Sequence, residues 1–302
     1  MFWIVLLFFL FSITFPVGRL AMQISEPIFF TGIRMLVAGV LLVTYYYFKH
    51  PLKFKEFFKF KYLHTWIILA IFNIFFTNVL EFWGLKTLTA AKACFIYSFS
   101  PFFAAMFSYF FFGERMTPKK VIGLSVGLLG FLPILLTGSS AESKLGGIGF
   151  LSWAELALIG AAFSTALGWV IMRHSIRKTA YPGMLSNGIS MIIAGIVMLP
   201  LSLIFENWNP VPVTNYSKFL FYMIILIITS NIMAYNLYAD LLKKYTATFL
   251  SLAGLMQPLF AALIGWIVLN EGVGWPFFVS AVAVFIGLSI LYKEELAQGY
   301  IS

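Results

Sequence analysis

The sequence predicts an all-α polytopic membrane protein, with ten transmembrane helices built as two inverted five-helix repeats. Three observations predict it. Charge is scarce, apolar residues fall into segments of membrane-spanning length, and the two halves share residues at nearly constant offsets.

Hydrophobic residues fill 61% of the 302 positions and charged residues only 10%. Soluble domains carry about 25% charged residues, so this chain lacks the surface to be one. A helix that crosses a bilayer needs roughly 20 mostly apolar residues. Ten segments approach that length, at 2–22, 27–48, 64–84, 89–112, 119–137, 152–172, 183–205, 217–240, 247–270 and 275–292. Residues 3–15 have the apolar character of a signal-peptide core. No basic residue precedes them and no small-residue cleavage site follows, so they count as the first span. A glycine-rich stretch at the midpoint divides the chain into a first repeat at 1–137, a linker at 138–151 and a second repeat at 152–295.

The net charge of +9 sits mostly in short connections, which argues for orientation in a membrane and against a nucleic-acid partner. With ten spans, fourteen Lys and Arg fall on the side of the termini and five on the other, with Arg34 left inside a span. The positive-inside rule then makes both termini cytoplasmic in a multi-pass protein of the cell inner (plasma) membrane. The single cysteine, Cys94, excludes an intrachain disulfide and a multi-cysteine metal site. His50, His64 and His174 do not pair at metal-ligand spacing, so neither a metal nor a cofactor is expected.

The repeat is carried by individual residues. Thr89-Ala90, Pro101, Phe103-Ala104-Ala105 and Glu114 recur as Thr246-Ala247, Pro258, Phe260-Ala261-Ala262 and Glu271, all at an offset of 157. Gly32-Ile33-x-Met35 and Ala38-Gly39 recur as Gly188-Ile189-x-Met191 and Ala194-Gly195, at an offset of 156. An odd number of spans per copy forces the second copy to enter the membrane inverted. Such repeats place a binding site at their interface near the midplane.

Pro101…Phe103-Ala104-Ala105…Gly113-Glu114-Arg115, its echo Pro258…Asn270-Glu271, and Ile33-Arg34-Met35-Leu36 resemble the EamA-type drug/metabolite transporter superfamily, over residues 2–292. The resemblance implies a ten-helix transporter. Its central cavity would be lined by the third, fourth, eighth and ninth helices together with the first and sixth. It also implies a substrate drawn from a range that includes amino acids, nucleotide sugars, sugar phosphates and S-adenosylmethionine.

Ionisable residues inside a bilayer are costly and so mark sites. Arg34, Glu81 and Lys92 fall in consecutive spans, about 10, 5 and 5 Å deep at ~1.5 Å per residue, and so meet just inside the outer mouth. Glu81 would take a cationic group or a coupling proton, and Arg34 or Lys92 a carboxylate. Lys92 can equally snorkel to the headgroups. Asn73, Thr77 and Glu81 share one helical face, with Asn78 beside them, and Asn231, Tyr235 and Tyr238 share another. Interhelical hydrogen bonding, worth only about 0.6–2 kcal/mol per contact, is the plainer account of such stripes. Pro101 and Pro258 free backbone carbonyls in mid-span near Tyr97, Ser98, Ser100, Ser251 and Gln257, and Pro16 does so near Thr14 and Phe15, with Trp169 its rough counterpart. The substrate-binding candidates are thus Glu81, Arg34, Asn78, Thr77, Tyr97, Ser98, Trp169, Asn231, Tyr235, Tyr238, Ser251 and Gln257. Pro16, Pro101 and Pro258 are candidate helix breaks or gates. Glu114 and Glu271 read as structural locks at helix ends. Gly123-x-Ser125-x-Gly127 lies in a spanning helix, so it is packing and not a hydrolase elbow. Asn215-Tyr216-Ser217 is a glycosylation sequon on the predicted outer side.

No nucleotide-binding Gly-x-x-x-x-Gly-Lys-Ser/Thr motif is present, and no nucleophile, base and metal converge, so an enzyme is not expected. The expectation is a secondary transporter that works by alternating access on a small metabolite, an amino acid or related zwitterionic or amphipathic compound. Its partners are that small molecule, the lipid bilayer, and a coupling proton or exchanged metabolite. An S-adenosylmethionine transporter or exchanger is the alternative within transport. A non-transporting membrane scaffold or receptor is the alternative of another class.

Overall fold

Uninterrupted apolar sequence folds here into long helices, and proline or glycine interrupts them. The computed structural model describes residues 2–129, 147–148, 151–269 and 275–299. Among these, the only strands are Gly147–Ile148 and Leu151–Ser152, paired antiparallel just before the sixth apolar segment. Among the described residues, six helical stretches are long and apolar enough to cross a membrane: Phe2–Met22, Pro27–Lys49, Phe60–Leu85, Trp153–Lys178, Gly183–Phe205 and Tyr216–Leu241. They correspond to the first, second, third, sixth, seventh and eighth segments. Large apolar side chains stand exposed along them and their neighbours, Phe2, Phe48, Phe110, Phe205 and Ile267 among others. Lipid is the solvent such a surface suits.

The fourth and ninth segments are not kinked single helices, as their mid-span prolines suggested. Each is two helices. The fourth runs Ala90–Tyr97 and restarts as Ser100–Phe112. The ninth runs Ala247–Ala253, passes through a 3₁₀ turn at Gly254–Met256 and restarts as Gln257–Leu269. Pro101 and Pro258 stand second in the restarted helices, where a missing N–H costs no hydrogen bond. The first segment likewise divides into Phe2–Ser12 and Thr14–Met22, with Pro16 in the first turn after the division. The fifth is described as far as Leu129, in Pro118–Leu129, and the tenth as Trp275–Ala297. Glu271 and most of the linker lie outside the described residues.

A feature absent from the sequence reading recurs in both halves. The third segment is π-helical over Ala70–Phe76 and the eighth over Ile227–Ala234, with starts 157 residues apart, the repeat offset itself. π-Turns appear mostly as local insertions at functional sites.

Three of the matched pairs, the second with the seventh, the fourth with the ninth and the fifth with the tenth, pack on each other antiparallel. The second and seventh make the most extensive contact among the described elements. A Cβ on Gly39 would lie 2.7 Å from the Gly188 carbonyl oxygen, and one on Gly195 would lie 2.8 Å from the Leu36 nitrogen and 2.9 Å from the Gly32 oxygen. The repeated glycines therefore form one contact used twice, the close backbone approach that small residues permit in membranes. In the fourth and ninth segments, each leading helix packs on the other's restarted helix, again antiparallel. The fifth packs on the tenth, where a Cβ on Gly123 would sit 3.0 Å from the Gly287 oxygen.

Buried ion pairs fasten the ends. Lys92 meets Glu155 at 3.0 Å, and Arg173 bonds Glu114 while its guanidinium lies over the Phe112 ring. Both pairs join the fourth segment to the sixth, one at each end. Lys120 meets Glu295 at 2.7 Å, and Thr246 donates to the same carboxylate at 2.7 Å. Glu206, at the end of the seventh segment, accepts from the backbone N–H groups of Ile28 and Phe29 at 2.6 and 2.8 Å, capping the second helix. Asn215 of the sequon caps its own helix by accepting from the Lys218 N–H at 3.0 Å.

Candidate functional site

The first, third, fourth, sixth, eighth and ninth segments enclose a cavity of about 50 Å³. Its wall has two characters. Phe8, Phe11, Phe15, Trp169, Tyr235 and Tyr238 supply rings, while Thr14, Asn78, Glu81, Tyr97, Ser100, Thr165, Ser230, Ser251 and Gln257 supply polar groups, with Gly254 between. Eight of the twelve sequence candidates line it: Glu81, Asn78, Tyr97, Trp169, Tyr235, Tyr238, Ser251 and Gln257.

The other four stand behind the wall. Thr77 donates to the Phe72 carbonyl at 2.8 Å and Ser98 to the Cys94 carbonyl at 3.0 Å, both within their own segments. Asn231 bonds the Met35 sulfur at 3.1 Å. Arg34 is fully buried, with its guanidinium 4.7 Å from the Phe82 ring centre and 5.9 Å from that of Phe30. The π-stretch of the eighth segment explains one of these corrections. A spacing of four predicts a shared face for Asn231 and Tyr235, but a π-turn repeats near five. Ser230, five before Tyr235, therefore takes the place expected of Asn231. Lys92 is also not where it was expected to be, since it pairs with Glu155 instead of joining Glu81.

Arg34 reaches the cavity through a relay. Its Nη2 donates to Asn78 Oδ1 at 2.6 Å, Asn78 Nδ2 donates to the Tyr235 hydroxyl at 3.2 Å, and that hydroxyl donates to the Asn73 carbonyl at 3.4 Å. Asn78 and Tyr235 stand at one repeat position, so the relay crosses between the two halves. Among the described residues, Nε and Nη1 of Arg34 have no hydrogen-bond partner. Across the cavity, Tyr238 shares a hydrogen bond with Ser251 at 3.3 Å and lies face to face with Trp169, ring centres 4.0 Å apart and planes 18° off parallel.

Glu81 is the one carboxylate in the cavity wall, and it is 6% exposed. Among the described residues nothing donates a hydrogen bond to it and no cation lies within ion-pair distance, although Arg34 attracts it from further away. A buried carboxylate with neither partner is strongly disfavoured unless something supplies one. A cationic group or a proton can each satisfy it. Among the described residues no cluster of His, Cys, Asp and Glu is placed to hold a metal.

The sequence profile of the EamA-like transporter family matches residues 1–136 and 152–293. The chain belongs to the EamA-like transporter family. It is therefore a polytopic membrane protein with two EamA halves, of a transporter family and not an enzyme family. The S-adenosylmethionine/S-adenosylhomocysteine transporter of Chlamydia muridarum is 38% identical over 296 residues, 97% of this chain and 91% of that one. The transporter of the same name from Chlamydia trachomatis serovar D is 38% identical over 295 residues, 97% of this chain and 89% of that one. Protein PecM of Dickeya dadantii is 23% identical over 273 residues, 90% and 85% of the two chains. One solved crystal structure superposes with a TM-score of 0.73 at 17% identity, covering 95% of each chain, which establishes the fold of this EamA protein alone.

Rings from the first segment (Phe8, Phe11), Thr165 and Ser230 were missed in the sequence. Phe8 and Phe11 sit in a uniformly apolar run that gives no sign of which face turns inward. Ser230 carried a signal, as the residue one repeat offset from Asn73.

Proposed function

We propose that this EamA protein exchanges S-adenosylmethionine for S-adenosylhomocysteine across the cell inner membrane by alternating access. The observation that carries this reading is the near-full-length likeness to transporters bearing those names. The cavity agrees with it chemically. S-Adenosylmethionine carries a flat purine, an α-ammonium group and a sulfonium, which match ring walls and an unpaired carboxylate. A simple amino acid would leave most of those rings unused.

In this proposal the chain crosses the membrane ten times, as inverted repeats at 1–137 and 152–295 joined by 138–151, with both termini cytoplasmic. Antiparallel packing of matched segments supports the inversion. The connections also meet as the alternation requires. The turn before the second segment bridges the one before the eighth through Ser25 and Val213, and Lys86 reaches Glu26 at 2.5 Å. The cavity of about 50 Å³ is far below the roughly 300 Å³ at which small-molecule pockets begin. The cavity must therefore widen to take the substrate, and Pro16, Pro101 and Pro258 mark the helix divisions about which it would do so. Glu81 holds the cationic end of the substrate, with Asn78, Tyr97, Trp169, Tyr235, Tyr238, Ser251 and Gln257 around it.

Thermal unfolding of the purified protein against a metabolite panel tests the assignment. A ligand at 100 times its Kd adds about 2.7 kcal/mol. S-Adenosylmethionine and S-adenosylhomocysteine should raise Tm further than any of the twenty amino acids at the same concentration. Stabilisation by an amino acid alone overturns the proposal.

A further inference from the structure

Resting on that reading, we infer that the cavity is split across the repeat axis into two unlike subsites: Trp169 and Tyr238 form a clamp for the purine, and Glu81 seats the cationic aminoacyl end. Glu81 and Tyr238 occupy the same repeat position, 157 apart, so the fold presents them to the cavity from opposite halves. One copy carries a carboxylate there and the other a ring. A pseudosymmetric scaffold has thereby become complementary to a substrate with a charged end and a flat end.

The geometry of the rings singles out this pair. Phe8 meets Tyr238 at 87°, Phe11 meets Tyr235 at 68°, and Phe15 meets Tyr97 at 74°, the edge-on contacts that aromatic quadrupoles favour. Trp169 and Tyr238 alone among the cavity rings lie stacked. Each presents a face to the other that it would present to a planar ligand, and neighbours fix both planes. Ser251 holds the Tyr238 hydroxyl, and the Tyr235 ring centre lies 5.3 Å from that of Trp169. Admitting a ring between them widens the 4.0 Å separation to about 7 Å, two contact distances of roughly 3.5 Å. The π-stretch Ile227–Ala234 immediately precedes Tyr235 and Tyr238. Its extra residue per turn gives that helix somewhere to absorb a shift without losing its hydrogen-bond ladder.

The test is competition against tritiated S-adenosylmethionine on purified protein, with adenosine and methionine as separate competitors. Base-on-aromatic stacking is worth about 1–3 kcal/mol, or roughly 5- to 150-fold in affinity. Trp169→Ala should weaken adenosine by that factor and leave methionine within twofold. Trp169→Phe, which keeps a face to stack on, should recover most of the loss and answers for any misfolding of the alanine variant. Glu81→Gln should do the reverse, weakening methionine and sparing adenosine. If Trp169→Ala weakens both fragments equally, or methionine alone, the division is wrong while the transport reading stands. If wild type binds no tritiated S-adenosylmethionine, the transport reading fails and the division with it.

Discussion

Replacing Glu81 by glutamine removes one negative charge from the cavity and almost nothing else. The side chain keeps its volume, and no hydrogen bond from a described residue is lost, because none reaches that carboxylate. Two effects on stability oppose each other, since the cost of the buried carboxylate disappears while the fully buried Arg34 loses its attraction, so the net change should be small. Binding should not be spared. A hydrogen bond to a charged group is worth about 1.5–3 kcal/mol net, which corresponds to roughly 10- to 150-fold in Kd. The two proposed substrates sharpen the test, since S-adenosylmethionine carries a sulfonium where S-adenosylhomocysteine carries a neutral thioether. If Glu81 faces the sulfonium, the variant weakens the first far more than the second. If it faces the α-ammonium, both weaken alike. Equilibrium binding of both ligands to wild type and Glu81→Gln, at one fixed pH and salt, reads this directly. Unchanged affinity for both would remove Glu81 from the site and refute the reasoning.

Other perturbations test the frame around the cavity. Gly39→Leu drives a side chain into the Gly188 backbone, where even a Cβ would lie 2.7 Å from the oxygen. It should cost about 1–3 kcal/mol or more, seen as a lower Tm in detergent. Lys120→Met leaves Glu295 buried without its cation and should cost about 3–5 kcal/mol, most of it regained in Lys120→Met/Glu295→Gln. Thermal unfolding of Lys120→Met, Glu295→Gln and the double variant measures the coupling, and additive losses would contradict it. Reporters fused to the C-terminus and to the linker at 138–151 should read as cytoplasmic and external respectively. An external C-terminus would overturn the orientation, and both on one side would overturn the inversion.

Much of this was legible in the sequence because repetition leaves chemical marks. Pro101 with Pro258, and Gly32 and Gly39 with Gly188 and Gly195, announce equivalent positions, and the structure finds those glycines in mutual contact. Glu81 stood out because a carboxylate in an apolar segment is expensive wherever it ends up. The lock assigned to Glu114 is likewise present, with Arg173 and Thr248 as its partners. Helical phase was not legible. Nothing in Ile227–Ala234 marks a π-turn by composition, and the resulting shift exchanged Asn231 for Ser230. Tertiary partners were equally hidden. Lys92 and Glu155 are 63 positions apart, and only the packing of the fourth segment on the sixth brings them together.

The central claim is coupled exchange of two related metabolites, and double-label counterflow tests it most directly. Proteoliposomes loaded with carbon-14 S-adenosylhomocysteine and placed in tritiated S-adenosylmethionine should gain one tritiated molecule for each carbon-14 molecule lost, and take up little when loaded with buffer alone. Uptake that proceeds at the same rate into empty vesicles, or no uptake of S-adenosylmethionine at all, would contradict it.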